Sequence, residues 1–320
     1  MSGELIHRPG SGFAVPALIA DAGDGAARRF FEFFTANIEN ENTRLAYAQA
    51  VAQFLRWAEG RGLTLRTIEP ITVAAYVREL KTRLADPSVK QHLAAVRLLF
   101  DWLVTGQVVP INPAASVKGP KHVVKTGKTH VLAADDARTL LDSIDTLTVI
   151  GLRDRALIAT MVFSFARISA VVGMKVEDYY PNGKRWWLRL HEKGGKFHEV
   201  PAHHNTEAYL DAYLEAAGIG DAAKTPLFRS VRGRSQQLTD QALRRNNALD
   251  MVKRRAVAAG LPRRVCNHTF RATGITAYLE NGGTIEKAQQ IAAHESPKTT
   301  KLYDRTSDRI TLDEIERIAI

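Results

Sequence analysis

Four short segments concentrate side chains suited to handling an oxyanion. Cys266-Asn-His-Thr-Phe-Arg-Ala-Thr-Gly sets His268 and Arg271 at a His-x-x-Arg spacing. Upstream, Phe165-Ala-Arg167-Ile-Ser169 supplies a second guanidinium. Guanidinium stays charged and can donate two parallel hydrogen bonds to phosphate or carboxylate. Between them lies Glu192-Lys193-Gly194-Gly195-Lys196. A lysine on a glycine turn among other cations can have its pKa lowered until it serves as a general acid. Lys193 fits that task better than Lys196, because it stands before the Gly-Gly pair. Downstream comes His294-Glu-Ser-Pro-Lys-Thr-Thr-Lys-Leu-Tyr303-Asp-Arg. Taken alone, the His-x-x-Arg pair is a weak signal, since about one such pair is expected by chance in an arginine-rich chain with 10 histidines. Tyr303 alone reads as an aromatic packing near the C-terminus, and Cys266 as a buried thiol.

Two other patterns fail on spacing. Thr126-Gly127-Lys128-Thr129 resembles the end of a P-loop, but His122 stands where that motif needs glycine. His198, His203 and His204 cluster, yet no partner ligand lies at a recognised spacing, so neither metal nor cofactor is expected.

The 320 residues are 45% hydrophobic and 24% charged, a globular composition. Lys+Arg 44 against Asp+Glu 34 gives +10, which favours a polyanionic partner. Residues 1–110 hold 12 Lys+Arg and 11 Asp+Glu, so nearly all the surplus lies beyond them. A single cysteine excludes an intrachain disulfide framework and Cys-rich zinc modules. No apolar run approaches the roughly 20 residues of a membrane span, and MSGELIHRPGSGF lacks the pattern of a signal peptide. These features predict a soluble intracellular protein.

The elements that must position the site follow from periodicity. From Thr43, the apolar positions Tyr47, Val51, Phe54 and Ala58 share one helix face that stops at Gly60-Arg61-Gly62. A second helix is predicted over 72–84. A third runs from Ser88, with Val89, Leu93, Val96, Phe100 and Leu103 inward. Arg44, Lys90 and Arg97 project from these helices as candidate phosphate contacts. Residues 112–128, with two prolines, two glycines, four lysines and no acid, read as an extended basic linker. Its Lys118, Lys121, Lys125 and Lys128 are further candidate phosphate contacts. Helices are then predicted near 135–144 and 151–165. Met174–Tyr180, Arg185–Glu192 and Phe197–Pro201 read as three strands, with turns at Pro181-Asn182-Gly183-Lys184 and Gly194-Gly195. Helix is expected from there to the end. Thr311-Leu-Asp-Glu314 forms a capping box that opens a short helix with Leu312, Ile315, Ile318 and Ala319 on one side.

In order, Arg167, Lys193, His268, Arg271, His294 and Tyr303 match the tyrosine recombinase (phage integrase) family, with its Xer-type, Cre-type and transposon-borne members. The resemblance spans nearly all of residues 25–320. Three positions depart from the common pattern: Ala170 where many relatives have an acid after Arg-x-Ser, Ala272 where many have histidine, and Ala292-Ala293 where Leu-Gly is usual. None removes a catalytic side chain.

The resemblance implies a mainly α fold. An N-terminal extension (1–24) would precede a helical, SAM-like core-DNA-binding domain (25–111). The basic linker (112–128) would lead to a mixed α/β catalytic domain (129–320) with a three-stranded antiparallel sheet and an exchange helix at about 311–320. It implies a site-specific recombinase that cuts and rejoins duplex DNA through a 3′-phosphotyrosyl intermediate, without ATP or metal. Tyr303 would be the nucleophile, Arg167 and Arg271 the phosphate clamp, and Lys193 the general acid. His268 would act as base or hold a phosphate oxygen, and His294 would hydrogen-bond the phosphate. The implied partner is double-stranded DNA bearing a specific core site. A dimer would bind each site and a homotetramer the paired sites, with an accessory protein as a further candidate partner. The C-terminal helix would dock in a neighbouring protomer. Two rival readings share the residues: a type IB topoisomerase-like relaxing enzyme and a DNA-binding regulator without catalysis.

Overall fold

The computed structural model describes residues 15–121, 127–192, 197–233 and 235–304, together with Ile315, Glu316 and Ile318. Two compact units divide at Val123/Val124.

The first unit is helical: α1 (Ala17–Ala20), α2 (Asp24–Ala36), α3 (Glu41–Glu59), α4 (Pro70–Arg83) and α5 (Asp86–Thr105). Asn40 caps α3 by accepting from the Thr43 backbone N–H at 3.1 Å. Proline begins α4 because its missing N–H is an orphan there anyway. The predicted inward residues Val51, Phe54, Ala58, Val89, Leu93, Val96, Phe100 and Leu103 are all buried. Phe54 is central, edge-on to Tyr76 at 5.1 Å and to Phe100 at 6.1 Å. Two helices escaped the periodic reading. Leu18 and Ile19 of α1, and Phe30, Phe33 and Phe34 of α2, are buried in the same core. The first part of the expected linker is also pinned. Arg97 donates to the carbonyls of Ala114 and Val117, and Asn112 donates to the Arg97 carbonyl.

The second unit is built around α7 (Val149–Phe163), buried along most of its length, with the charges of Arg153 and Asp154 paired inside, and packed between other elements. It follows α6 (Ala134–Asp142). After it come α8 (Ile168–Val172) and a three-stranded antiparallel sheet, β1 (Tyr179–Asn182), β2 (Arg185–His191) and β3 (Phe197–Pro201). The helix α9 (His204–Ala217) packs on α7. A two-stranded sheet follows, β4 (Arg229–Val231) with β5 (Leu238–Ala242). Then come α10 (Arg245–Ala258), α11 (Asn267–Glu280), α12 (Ile285–Ile291) and α13 (Pro297–Lys301). α11 approaches α7 so closely that a Cβ at Gly274 would strike the Val162 carbonyl. That contact fixes the helix carrying His268 and Arg271.

The structure corrects three local expectations. The first strand does not span Met174–Tyr180: residues 176–178 form a 3₁₀ turn, because Asp178 accepts the Lys175 N–H at 2.8 Å. The turn is Gly183-Lys184 alone, with Gly183 at φ +63° and Pro181 and Asn182 already paired to β2. The chain after Pro201 is not wholly helical. The β4–β5 pair carries little apolar alternation. It is tied instead by the Ser230 and Thr239 hydroxyls at 2.5 Å and by Arg229 to Asp240.

Candidate active site

Arg271 is the most buried charge of the site, 1% exposed in the middle of α11. One Nη donates to the Phe165 carbonyl and the other to the Ala292 carbonyl, so two loops are tied to one guanidinium. Both loops carry a non-glycine residue in the left-handed region, Phe165 at φ +53° and Ala293 at φ +47°. Such backbone persists only where surrounding contacts over-determine it. Arg271 Nε is buried with no hydrogen-bond partner. Burial, then the neighbouring Arg167, pushes the Arg271 pKa down to about 10, which leaves it charged at neutral pH.

Arg167 stands at the N-cap of α8. Its Nη1 meets Glu192 Oε2 at 2.5 Å, at the end of the strand that leads to Lys193. Lys193 itself lies outside the described residues. Arg167, His268 and Arg271 line one cleft of about 270 Å³, together with Ser169, Arg245, Asn246 and Asn267.

Tyr303 follows α13 and is 7% exposed, in a small cluster with Phe165, Ala272, Ile275, Leu279, Ala288 and Ala292. Thr276 of α11 donates to its carbonyl at 2.9 Å, and the Gly127 N–H donates to the Leu302 carbonyl at 3.0 Å. The backbone is therefore gripped on both sides of the phenol. The phenol oxygen is 2.8 Å from His268 Nε2. The His294 ring stacks on the Tyr303 ring at 5.8 Å, and its Nδ1 meets Thr300 Oγ1 at 2.9 Å. Burial first, then Arg271 and Arg167, lowers the pKa of His268. The same causes, with His268 added, bring His294 to about 3. Both imidazoles are neutral at pH 7. Burial raises the Tyr303 pKa, while Arg271 and then Arg167 pull it back.

Five of the six expected catalytic residues thus converge, at Arg167, His268, Arg271, His294 and Tyr303. Among the DNA-binding candidates, Lys90, Lys118, Lys121 and Lys128 are exposed. Arg44 and Arg97 are half-buried; Arg44 donates to the Ile38 and Glu39 carbonyls, and Arg97 to those already named. Lys125 and the Thr311–Glu314 capping box, with Leu312 and Ala319, lie outside the described residues. Ile315 and Ile318 are exposed. The Cys266 thiol faces Thr269. No group of three or more His, Cys, Asp or Glu capable of holding a metal occurs among the described residues. Sequence reasoning missed Glu192, Arg245, Asn246, Asn267, Thr276 and Thr300. Only Glu192 carried a signal, as an acid beside the hairpin lysine.

The phage integrase family model matches residues 130–309, and the phage integrase N-terminal SAM-like domain matches residues 27–107. The chain belongs to the phage integrase family. As a member of it, the chain is a site-specific recombinase of the tyrosine class. Tyrosine recombinase XerC of Myxococcus xanthus is 28% identical over 299 residues, 90% of this chain and 95% of the relative. The XerH site-specific recombinase, bound to difH substrate in a pre-cleavage complex, superposes with a TM-score of 0.66 at 17% identity, covering 94% of this chain and 95% of that one. A lambda integrase tetramer bound to a Holliday junction gives 0.67 at 17% identity, covering 93% and 84%. These two structures share the fold of this integrase.

The usual glycine before the second histidine has a physical role here: Ala293 occupies a backbone conformation that glycine adopts freely. Ala293→Gly should therefore raise stability by about 1 kcal/mol, the left-handed penalty less the entropy glycine adds to the unfolded chain. Chemical denaturation of the two proteins checks this; a destabilised glycine variant contradicts it.

Proposed function

We propose that this integrase cuts and rejoins duplex DNA with Tyr303 as nucleophile. The observation that carries the reading is the 2.8 Å contact between the Tyr303 phenol and a neutral His268, beside two guanidiniums. The phenol oxygen attacks the scissile phosphorus while its proton passes to His268 Nε2. The bond from phosphorus to the 5′ oxygen breaks, a 3′-phosphotyrosyl bond forms, and Lys193 protonates the departing 5′ oxygen. Arg167 and Arg271 take the non-bridging oxygens. The unpartnered Nε of Arg271 is a donor that an incoming oxygen would satisfy. His294 stacks on the nucleophile and hydrogen-bonds the phosphate. The covalent intermediate conserves the bond energy, so the rejoining step needs no ATP.

The partner is duplex DNA with a specific core site, bound by both domains and by the lysines of residues 112–128. Most affinity then comes from phosphates and falls steeply with salt. The assembly is a dimer per site and a tetramer on paired sites; among the structures that share the fold, lambda integrase is seen as a dimer on a COC' core site and as a tetramer on a Holliday junction. Ile315 and Ile318, exposed near the C-terminus, suit docking on a second protomer. The biological outcome is integration, excision or resolution of a mobile element or replicon. No helix among the described residues is long and apolar enough to cross a membrane, which is compatible with a place at the nucleoid in the cytoplasm.

Tyr303→Phe should bind DNA like the native protein and form no covalent adduct with a nicked suicide substrate. The native protein should form that adduct in excess EDTA. An adduct in the variant, or a magnesium requirement in the native protein, contradicts the reading. A pH profile tests the base. His268 is lowered from its ordinary 6.5, so it gains its proton only below that value. At sub-saturating DNA the cleavage rate should stay level from pH 8 down through about pH 6.5 and fall at lower pH. A rate that falls already above pH 7 would assign proton acceptance to another group.

A further inference from the structure

The helix that Arg167 caps, α8, carries no acid that could pair with it. Ala170 is 1% exposed and carries no polar atom. The hairpin supplies the acid instead, through the 2.5 Å contact of Glu192 with Arg167. The Glu192 side chain is 6% exposed and that of Arg167 39%, so the carboxylate is the inner member of the pair. A carboxylate that deep is costly unless paired, and pairing with a second guanidinium nearby is what the site offers. Arg167 lowers the pKa of Arg271 and Glu192 raises it, so Glu192 offsets the repulsion between the two cations. Glu192 also directly precedes Lys193. One contact therefore joins the clamp to the base of the hairpin that carries the general acid.

We propose that Glu192 is a positioning residue for recombination: its carboxylate holds Arg167 in place for the scissile phosphate, standing in for the acid that position 170 lacks. The inference rests on the reading of Arg167 as a phosphate clamp. Its action is indirect, through the orientation of Arg167 rather than through contact with DNA. Loss of the carboxylate frees the half-exposed guanidinium to leave the clamp.

The test is single-turnover cleavage of a nicked core-site substrate carrying either the natural phosphodiester or an uncharged methylphosphonate at the scissile position. The neutral linkage has less charge to stabilise, so it depends less on the clamp. Glu192→Ala should bind the substrate like the native protein and cleave the phosphodiester about 100-fold more slowly, the cost of a misplaced catalytic group. On the methylphosphonate that loss should shrink by at least about tenfold. Arg167→Ala should show the same compression, and Glu192→Gln, which keeps the shape and removes the charge, should fall in the same direction. If Arg167→Ala shows no compression, the clamp reading itself fails. If Arg167→Ala behaves as expected while Glu192→Ala keeps or exceeds the native rate, the positioning role is overturned. An equal loss on both substrates assigns Glu192 to folding alone and also overturns it.

Discussion

A guanidinium almost sealed from water is the constraint on which the second unit is organised. Arg271 is 1% exposed, and burying a charge is costly unless hydrogen bonds replace its water. The protein meets that demand with two backbone carbonyls, from Phe165 and Ala292. Those carbonyls belong to the loops that carry Arg167 and His294. Holding Arg271 therefore places its two neighbours, at the cost of left-handed backbone at Phe165 and Ala293. The close packing of α11 on α7 at Gly274 keeps the arginine from moving outward.

The same charge sets the protonation of the site. Added to desolvation, it keeps His268 and His294 neutral and opposes the rise in the Tyr303 pKa. A neutral imidazole in contact with a protonated phenol is the starting pair for proton transfer. Phosphate would then enter a pocket whose donors are already fixed, so little reorganisation remains for the reacting state. Backbone contacts at Leu302 and Tyr303 extend this preorganisation to the proposed nucleophile.

Much of this was legible in the sequence, for different reasons at different residues. The inward stripes of α3 and α5 obey helical periodicity, and β2 and β3 alternate beside glycine turns. The six candidate catalytic residues could be read only as a set, since Tyr303 alone looks like packing. Where side chains rather than periodicity decide the backbone, reading failed. Asp178 turns a strand start into a 3₁₀ turn, and hydroxyls and an ion pair make the β4–β5 sheet. The pairing of Glu192 with Arg167 was hidden for another reason: the two lie 25 positions apart, and only the sheet brings them together. Ala293 looked like a departure from the family, yet it keeps the backbone shape that glycine usually serves.

The central claim is that one subunit assembles the nucleophile with its own pocket, as the 2.8 Å contact of Tyr303 with His268 indicates. Mixing Tyr303→Phe protein with Arg271→Ala protein on paired sites tests it most directly. The first has a pocket without a phenol, and the second a phenol without its pocket. The account predicts that the mixture cleaves no better than either variant alone. Restored cleavage would show the tyrosine serving a neighbouring subunit and would contradict it.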